Sequence, residues 1–154
     1  MLYLQPSKMK LFLVIGCGPV GLFAVACAKA LGAKEIIAAD LFADKLSLAS
    51  QMGATKTLNV RNVDLGSEIM KITSGNGIER ICEASGHAPT LNASFKWLRK
   101  GGKMGIVGLP KDTVKFDNPL TGYYTLLHTL RHTLLHPILD SILHSILHSI
   151  HTRY

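Results

Sequence analysis

A chain of 154 residues has the length of one ordinary domain, and its 47% apolar and 18% charged residues exclude a disordered chain. The formal net charge of +7 favours anionic ligands, but the lysines and arginines are spread from Lys8 to Arg153. This spread is typical of a solvated surface and does not indicate a nucleic-acid partner. Three cysteines, Cys17, Cys27 and Cys82, are too few and too far apart for a disulfide framework or a CxxC zinc site, which predicts a reducing compartment.

The sequence also lacks the patterns of membrane and export segments. Its first ten residues, MLYLQPSKMK, do not combine a basic start with the apolar run of a signal peptide. A run of about 18 uninterrupted apolar residues, which a membrane helix needs, does not occur. We therefore expect a cytoplasmic protein with no membrane partner.

Short β-rich runs alternate with amphipathic helical patterns from residue 11 to about residue 119. The predicted strands are Leu11–Ile15, Glu35–Ala39, Lys56–Leu58, Ile78–Cys82 and Lys103–Val107. The predicted helices are Val20–Leu31, Ala43–Met52, Leu65–Thr73 and Pro89–Leu98. Parallel strands must be joined by crossover helices, each of which brings the chain back to the end of the sheet where the strands begin. The alternation therefore predicts the α/β class with a doubly wound parallel sheet.

The sequence changes character from Thr125, where it reads TLLHTLRHTLLHPILDSILHSILHSIHTRY. Histidine occupies every fourth position from His128 to His148 with one exception. A period of four drifts by about 40° per repeat against a helical turn, so its apolar pairs do not keep to one face. We expect residues 1–120 to form the folded domain and residues 121–154 a low-complexity tail, helical or irregular. Transition-metal binding by histidines four apart and a partner-binding helix are the alternatives for this tail.

A glycine motif, GxGxxG, lies where the first predicted strand gives way to a helix in VIGCGPVGLF. Its first glycine permits a tight turn, its second lets a pyrophosphate approach the backbone, and its third lets the helix lie close to the strand. The free amides of the helix start would face the anion, and a proline suits that position because its missing N–H has no partner there. We expect the pyrophosphate to bind Gly16, Gly18, Pro19, Val20 and Gly21. A glycine turn that serves packing alone is the alternative.

An acidic residue follows at the end of the second predicted strand. Asp40 in EIIAAD lies nineteen positions after Gly21, as in dinucleotide-binding proteins, where a carboxylate accepts hydrogen bonds from the ribose hydroxyls. A carboxylate there also repels a 2′-phosphate, which predicts NAD as the cofactor in preference to NADP. Lys45 either sits beside the same ribose or is a solvated helix lysine.

The segments after the fourth and fifth predicted strands should lie at the carboxyl edge of the sheet, where ligands of this fold bind. The predicted cofactor contacts there are Ser85, Gly86, Val107, Gly108 and Leu109. The backbone of GIVGLP could meet a nicotinamide carboxamide, or Gly108 and Pro110 could simply end the strand. His87 is more typical of a loop histidine than of a catalytic base.

Two long segments, VIGCGPVGLFAVACAKALGAKEIIAADLFADKLSLASQMGA and EASGHAPTLNASFKWLRKGGKMGIVGLP, resemble the coenzyme domain of the zinc-containing medium-chain alcohol dehydrogenase family. The threonine and polyol dehydrogenase branches are the most similar. The resemblance covers about Leu11 to Leu120 and implies a Rossmann fold. It also implies the three glycines at the pyrophosphate, Asp40 and Lys45 at the adenosine ribose, and the backbone of Val107 to Leu109 at the nicotinamide.

In that family the catalytic zinc and its ligands come mainly from a separate preceding domain. Only fifteen residues precede Gly16 here, and they contain neither Cys nor His. We therefore expect an NAD-binding fragment of an alcohol, polyol or threonine dehydrogenase, in which hydride transfer and zinc belong only to the intact enzyme. Loss of the family's sixth strand would expose the edge of the fifth, through which a second copy could pair.

Two other functions compete with this interpretation. One is a non-catalytic module that binds NAD or a protein partner. The other is a methyltransferase, which also uses a glycine-rich turn, although Gly21 and the downstream EASGH and GGKMGIVGLP weigh against it.

Overall fold

The computed structural model describes residues 9–110, which form alternating strands and helices. In chain order the elements are β1 (Leu11–Ile15), α1 (Pro19–Ala30), β2 (Glu35–Asp40), α2 (Ala43–Met52), β3 (Lys56–Asn59), α3 (Leu65–Ile72), β4 (Ile78–Glu83), α4 (Ala88–Ser94), a 3₁₀ turn (Phe95–Trp97) and β5 (Leu98–Ile106).

The five strands form one parallel sheet in the order β3-β2-β1-β4-β5. This confirms the predicted doubly wound α/β class. The chain winds outward from β1 in one direction and then returns past β1 to start the other half. Ile15 at the end of β1 is in register with Ala39 of β2 and with Glu83 of β4. The loops that follow these three strands therefore meet at one edge of the sheet, beside the point where the strand order reverses.

Buried side chains fill a core on each face of the sheet. The strand sequences LFLVI and EIIAAD are apolar almost throughout, as strands covered on both faces must be. The larger core joins the sheet to α3, α4 and the 3₁₀ turn and contains Leu13, Ile15, Ile37, Ala39, Leu58, Leu65, Ile69, Ile78, Ile81, Leu91, Phe95, Trp97 and Met104. The other core joins the sheet to α1 and α2 and contains Met9, Val14, Cys17, Val25, Ala28, Ile36, Ala38, Leu46, Ala49, Ala54 and Cys82.

The sequence-based boundaries between α4 and β5 were wrong. The predicted helix Pro89–Leu98 ends at Ser94, and the strand predicted from Lys103 already begins at Leu98. Phe95 and Trp97 are buried by the 3₁₀ turn, which a uniform helical pattern does not reveal. The polar, glycine-rich stretch RKGGK resembles a turn in sequence, but it lies within β5, where the register against β4 shifts.

The predictions for the tail, including its metal-binding alternative, concern residues outside those that the structure describes, as does the predicted domain boundary at residue 120. The longest helix described, α1, has 12 residues. None of the helices within residues 9–110 has both the length and the apolar character needed to cross a membrane.

Candidate functional site

A crevice of about 730 Å³ opens at the carboxyl ends of the strands. Five of the predicted cofactor residues line it, and these are Gly16, Gly18, Asp40, Lys45 and Ser85. The other predicted residues lie next in sequence to residues at this edge but do not line the crevice. These are Pro19, Val20, Gly21, Gly86, Val107, Gly108 and Leu109. The three glycines of the motif differ in whether backbone conformation or packing requires a glycine at their position.

Gly16 and Gly21 are required by the protein itself. Gly16 has φ +89°, a conformation that side chains disfavour, and a Cβ on it would lie 2.8 Å from the Ser85 nitrogen. A Cβ on Gly21 would lie 1.8 Å from the Gly16 carbonyl oxygen, so α1 could not pack at its present distance from the loop. These two glycines would be needed in this fold with or without a ligand.

Gly18 is not required by the protein in either way. Its φ of −70° is open to any residue, and a Cβ on it would meet no heavy atom within 4 Å. It is also the N-cap of α1, where serine or aspartate would add a capping hydrogen bond that glycine cannot make. The fold therefore offers no internal reason for glycine here, and the space beside it faces the crevice.

The start of α1 carries unpaired hydrogen-bond donors. The helix has no side-chain cap and no acidic residue in its first turn. Its first helical bond runs from the Leu22 N–H to the Gly18 carbonyl at 2.9 Å, so the amides of Val20 and Gly21 have no helical acceptor. These donors and the helix dipole favour an anion beside Gly18.

Asp40 links the glycine loop to the start of α2. One carboxylate oxygen accepts the Cys17 N–H at 2.7 Å, and the other accepts the Phe42 N–H at 3.0 Å. Each oxygen keeps a further lone pair that can accept a hydrogen bond from a ligand in the crevice. The carboxylate thus shapes the loop as well as lining the site, a contribution that its sequence position alone does not reveal.

Cys17 lies inside the glycine loop and is fully buried. Burial and the neighbouring charge of Asp40 raise the pKa of its thiol to about 12, with Lys45 opposing them. The thiol is therefore neutral at physiological pH, and it packs as a small apolar group.

Lys45 contacts an aromatic ring at the mouth of the crevice. Its ammonium group lies 4.7 Å from the centre of the Phe42 ring, and the Arg61 guanidinium lies 5.3 Å from the same centre. The lysine is half-buried and lines the crevice with Asp40. Lys45 therefore stands at the end of the crevice where Asp40 lies, and Arg61 lies against the same Phe42 ring without lining the crevice.

The interior of the crevice has an apolar wall that sequence reasoning missed. It is formed by Val60 and Val63 from the loop after β3, Leu65 at the start of α3, and Ala93 and Trp97 from the end of α4 and the 3₁₀ turn. These residues are far apart in sequence, and only the packing of α3 and α4 on the sheet brings them together. A flat apolar ring could be buried against this wall.

Glu83 is a further residue that sequence reasoning missed. It ends β4, and its side chain is fully buried. Its carboxylate accepts hydrogen bonds from the backbone of Ser85 at 3.0 Å, from the Ser85 hydroxyl, and from the Gly86 N–H at 3.3 Å. The sequence did contain a signal for this residue, because an acidic residue stands at the end of a buried strand, shortly before Ser85 and Gly86.

His87 and the GIVGLP segment lie beside this carboxylate. His87 is the exposed N-cap of α4, and its Nδ1 lies 2.7 Å from the Thr90 hydroxyl. Gly108 packs on the β4 loop, since a Cβ on it would lie 2.2 Å from the Gly86 nitrogen. Leu109 is 83% exposed, and its backbone packs on Gly86, where a Cβ would lie 2.7 Å from the Leu109 carbonyl oxygen.

Metal ligands do not assemble in this region. Within residues 9–110, no group of three or more His, Cys, Asp and Glu side chains could hold a metal ion. The side chains of residues 9–110 therefore do not fit a zinc site by themselves.

Comparisons with known proteins identify the family. A family model described as zinc-binding dehydrogenase matches residues 19–134. The chain belongs to this family. The resemblance found in the sequence is therefore confirmed.

Individual zinc-binding dehydrogenases match the chain over part of their length. L-threonine 3-dehydrogenase of Bacillus licheniformis is 42% identical over 104 residues, which are 68% of this chain and 30% of that protein. Sorbitol dehydrogenase of Bacillus subtilis is 44% identical over 107 residues, 70% of this chain and 30% of that protein. The chain thus spans about 30% of the length of these relatives.

Solved structures of the family share the fold described here. Benzyl alcohol dehydrogenase of Acinetobacter calcoaceticus superimposes with a TM-score of 0.68 at 35% identity, over 74% of this chain and 32% of that chain. A zinc-binding dehydrogenase from Sinorhizobium meliloti, solved with NADP bound, gives a TM-score of 0.64 at 25% identity, over 72% of this chain and 34% of that chain.

Proposed function

We propose that residues 9–110 bind NAD as the coenzyme domain of an alcohol, polyol or threonine dehydrogenase. The single observation that carries this proposal is Gly18, a glycine that neither backbone conformation nor packing requires and that leaves open space at an uncapped helix start. A pyrophosphate beside Gly18 would accept hydrogen bonds from the free amides of α1.

The two nucleosides would extend from the pyrophosphate to opposite sides of β1. The adenosine would lie on the β2 and β3 side, with its ribose hydroxyls on Asp40 and its ring against the apolar wall of Val60, Val63 and Trp97. The nicotinamide half would lie on the β4 and β5 side, beside Ser85, Gly86 and the backbone of Val107 to Leu109. The sheet order supports this division, because β1 separates the two pairs of strands.

The preference for NAD follows from charge. Asp40 repels a 2′-phosphate, whereas Lys45 and Arg61 attract one. Asp40 lines the crevice with Lys45, but Arg61 is exposed and does not line it, so the carboxylate acts at the shorter range. A relative from Sinorhizobium meliloti was solved with NADP bound, so titration with both cofactors tests this preference.

When bound, the nicotinamide ring supplies the hydride acceptor for an alcohol substrate. The residues of this chain would bind and orient the cofactor through the glycine loop, Asp40 and the β4 and β5 loops. The relatives named above act on threonine and sorbitol, and we propose a secondary alcohol of this kind for the complete enzyme. Zinc would belong to parts of that enzyme outside residues 9–110.

Location and assembly follow as further proposals. Cys17, Cys27 and Cys82 are all free thiols, which supports a reducing compartment such as the cytoplasm. In the described sheet β5 is an edge strand, and a second copy could pair with it.

Calorimetric titration of the full chain with NAD tests the proposal. We expect saturable binding, no binding of S-adenosylmethionine, and no turnover of threonine, sorbitol or simple alcohols with zinc added. Binding of S-adenosylmethionine in place of NAD would favour a methyltransferase. Absence of NAD binding would refute the proposed function, and turnover would show that the chain carries catalytic ligands.

A further inference from the structure

Glu83 is the only charged side chain fully buried among residues 9–110. In this part of the chain no lysine, arginine or histidine forms an ion pair with it, and the described ion pairs are Lys71–Glu68 and Arg99–Glu79. Removing a carboxylate from water is costly unless hydrogen bonds replace the lost hydration. The hydrogen-bond donors that surround the Glu83 carboxylate therefore indicate which part of the structure it stabilises.

All of these donors belong to the loop that follows β4. One carboxylate oxygen accepts the Ser85 N–H and the Ser85 hydroxyl, and the other accepts the Gly86 N–H. The Ser85 oxygen in turn accepts the His87 N–H at 3.2 Å. Hydrogen bonds to a carboxylate are about twice as strong as those between neutral groups, so the loop is held tightly over the buried charge.

The main chain of the same residue holds the loop that follows β5. The Glu83 carbonyl accepts the Val107 N–H at 2.8 Å and the Gly108 N–H at 2.9 Å. The two loops touch, because a Cβ on Gly108 would lie 2.2 Å from the Gly86 nitrogen and 2.8 Å from a Glu83 carboxylate oxygen. Glu83 thus fixes both loops through different atoms.

The glycine loop packs on the same point. A Cβ on Gly16 would lie 2.8 Å from the Ser85 nitrogen, so the first glycine of the motif seats against the loop that the carboxylate holds. The neighbouring Ala84 N–H donates to the Ile15 carbonyl at 2.8 Å. Three loops of the candidate site therefore meet above one buried charge.

We propose that Glu83 is a positioning residue whose buried carboxylate fixes the loop after β4, against which the loop after β5 packs, in the arrangement that holds the nicotinamide half of the dinucleotide. The proposal rests on the proposed function, since it concerns the same bound dinucleotide. Asp40 ends β2, on the other side of β1, and its carboxylate makes no contact with the loops after β4 and β5. A defect at Glu83 should therefore affect one half of the cofactor more than the other.

Glu83→Gln is the informative substitution. It keeps the size of the side chain but replaces one acceptor oxygen with an NH₂ group, which would face the N–H of Ser85 or Gly86 instead of accepting from it. The loop after β4 then loses one hydrogen bond to residue 83, and the new NH₂ group lies against a backbone N–H, so neither donor has an acceptor. The matched control is Thr73→Val, because Thr73 is also buried and its hydroxyl joins Ile69 to Gly77 at the opposite edge of the sheet.

The experiment measures the two halves of the ligand separately in the full chain. ADP-ribose, which lacks the nicotinamide, reports the adenosine and pyrophosphate contacts through its Kd. The emission of bound NADH, excited directly at the dihydronicotinamide, reports the surroundings of that ring. For the unaltered protein we expect saturable binding of both ligands and an emission at saturation that differs from that of free NADH.

For Glu83→Gln we expect the emission of bound NADH to move toward the value of free NADH and the Kd for NADH to rise about tenfold, the equivalent of one lost charged hydrogen bond. The Kd for ADP-ribose should rise less than the Kd for NADH, because ADP-ribose keeps the Asp40 contact and lacks the ring that the loops after β4 and β5 would hold. Thr73→Val should change neither property. If Glu83→Gln does not fold, Ser85→Ala, at an exposed residue, should show the same selective loss on a smaller scale.

Equal losses for NADH and ADP-ribose with the bound emission unchanged would overturn the proposal, because Glu83 would then serve stability alone. An unaltered protein that bound NADH without any change in emission would overturn it too. Failure of the unaltered protein to bind either ligand is a different result, since it refutes the proposed function itself.

Discussion

Asp40 shows how one side chain can serve the fold and the ligand together. Its two oxygens already accept the Cys17 and Phe42 amides, so any substitution loosens the glycine loop as well as removing a ribose contact. A loss of NAD affinity after such a substitution therefore does not distinguish a lost ribose contact from a loosened loop. The ratio of NAD to NADP affinity does distinguish them, because a loosened loop weakens the binding of both cofactors alike.

Asp40→Ser should lower the affinity for NAD and raise the ratio of NADP to NAD affinity by about tenfold or more. The physical reason is that the repulsion of the 2′-phosphate disappears while Lys45 and Arg61 remain as attractive charges. Parallel calorimetric titrations with the two cofactors measure this ratio. An unchanged ratio would mean that Asp40 does not face the 2′ position.

At the scale of elements, the position of α1 depends on Gly21. The helix lies so close to the preceding loop that a methyl group on Gly21 would come within 1.8 Å of the Gly16 carbonyl oxygen. The helix would have to move away from β1, and the packing of Val25 and Ala28 would suffer with it.

Gly21→Ala should therefore lower the free energy of unfolding by about 1–3 kcal/mol, the usual cost of overpacking a close contact. Urea denaturation followed by circular dichroism measures this loss. Wild-type stability in this variant would contradict the close packing of α1.

The elements themselves could be predicted from sequence, because the apolar runs of β1 and β2 and the glycine turn are local patterns. The end of α4 could not, since the burial of Phe95 and Trp97 depends on where the 3₁₀ turn lies over the sheet. Gly18 and Asp40 belong to a motif with a fixed spacing, so the sequence alone predicted them. Val60 and Val63 line the crevice only because of tertiary packing, so the sequence did not predict the apolar wall. Glu83 was missed because its burial depends on the pairing of β4 with β5.

At the scale of the whole molecule, two buried thiols make stability depend on pH. Burial is the main cause that raises the pKa of Cys17 and of Cys82 from 9.0 to about 12, with the charges of Asp40 and Glu83 adding to it. In the unfolded chain these thiols ionise near pH 9, so between pH 9 and pH 12 the folded state holds protons that the unfolded state has lost. Their contribution to stability is fully present below pH 9 and is lost as the pH rises toward 12.

The free energy of unfolding should therefore fall above pH 9, by up to about 1.4 kcal/mol per pH unit for each buried thiol. In Cys82→Ala this fall should be shallower, although the variant starts from a lower stability because the sulfur atom is missing from the core. Urea denaturation at pH 7, 9, 10 and 11 measures both slopes. Parallel slopes in the two proteins would show that Cys82 does not resist ionisation.

Pyrophosphate binding beside Gly18 is the central claim, and Gly18→Ser tests it most directly through two paired measurements. A serine hydroxyl can cap α1, so urea denaturation should show unchanged or slightly higher stability, by a few tenths of a kcal/mol. The same hydroxyl would occupy the space of the pyrophosphate and its amides, so calorimetric titration should show NAD affinity at least tenfold weaker. A stable Gly18→Ser protein that binds NAD as tightly as the unaltered chain would contradict the claim that this helix start holds the cofactor.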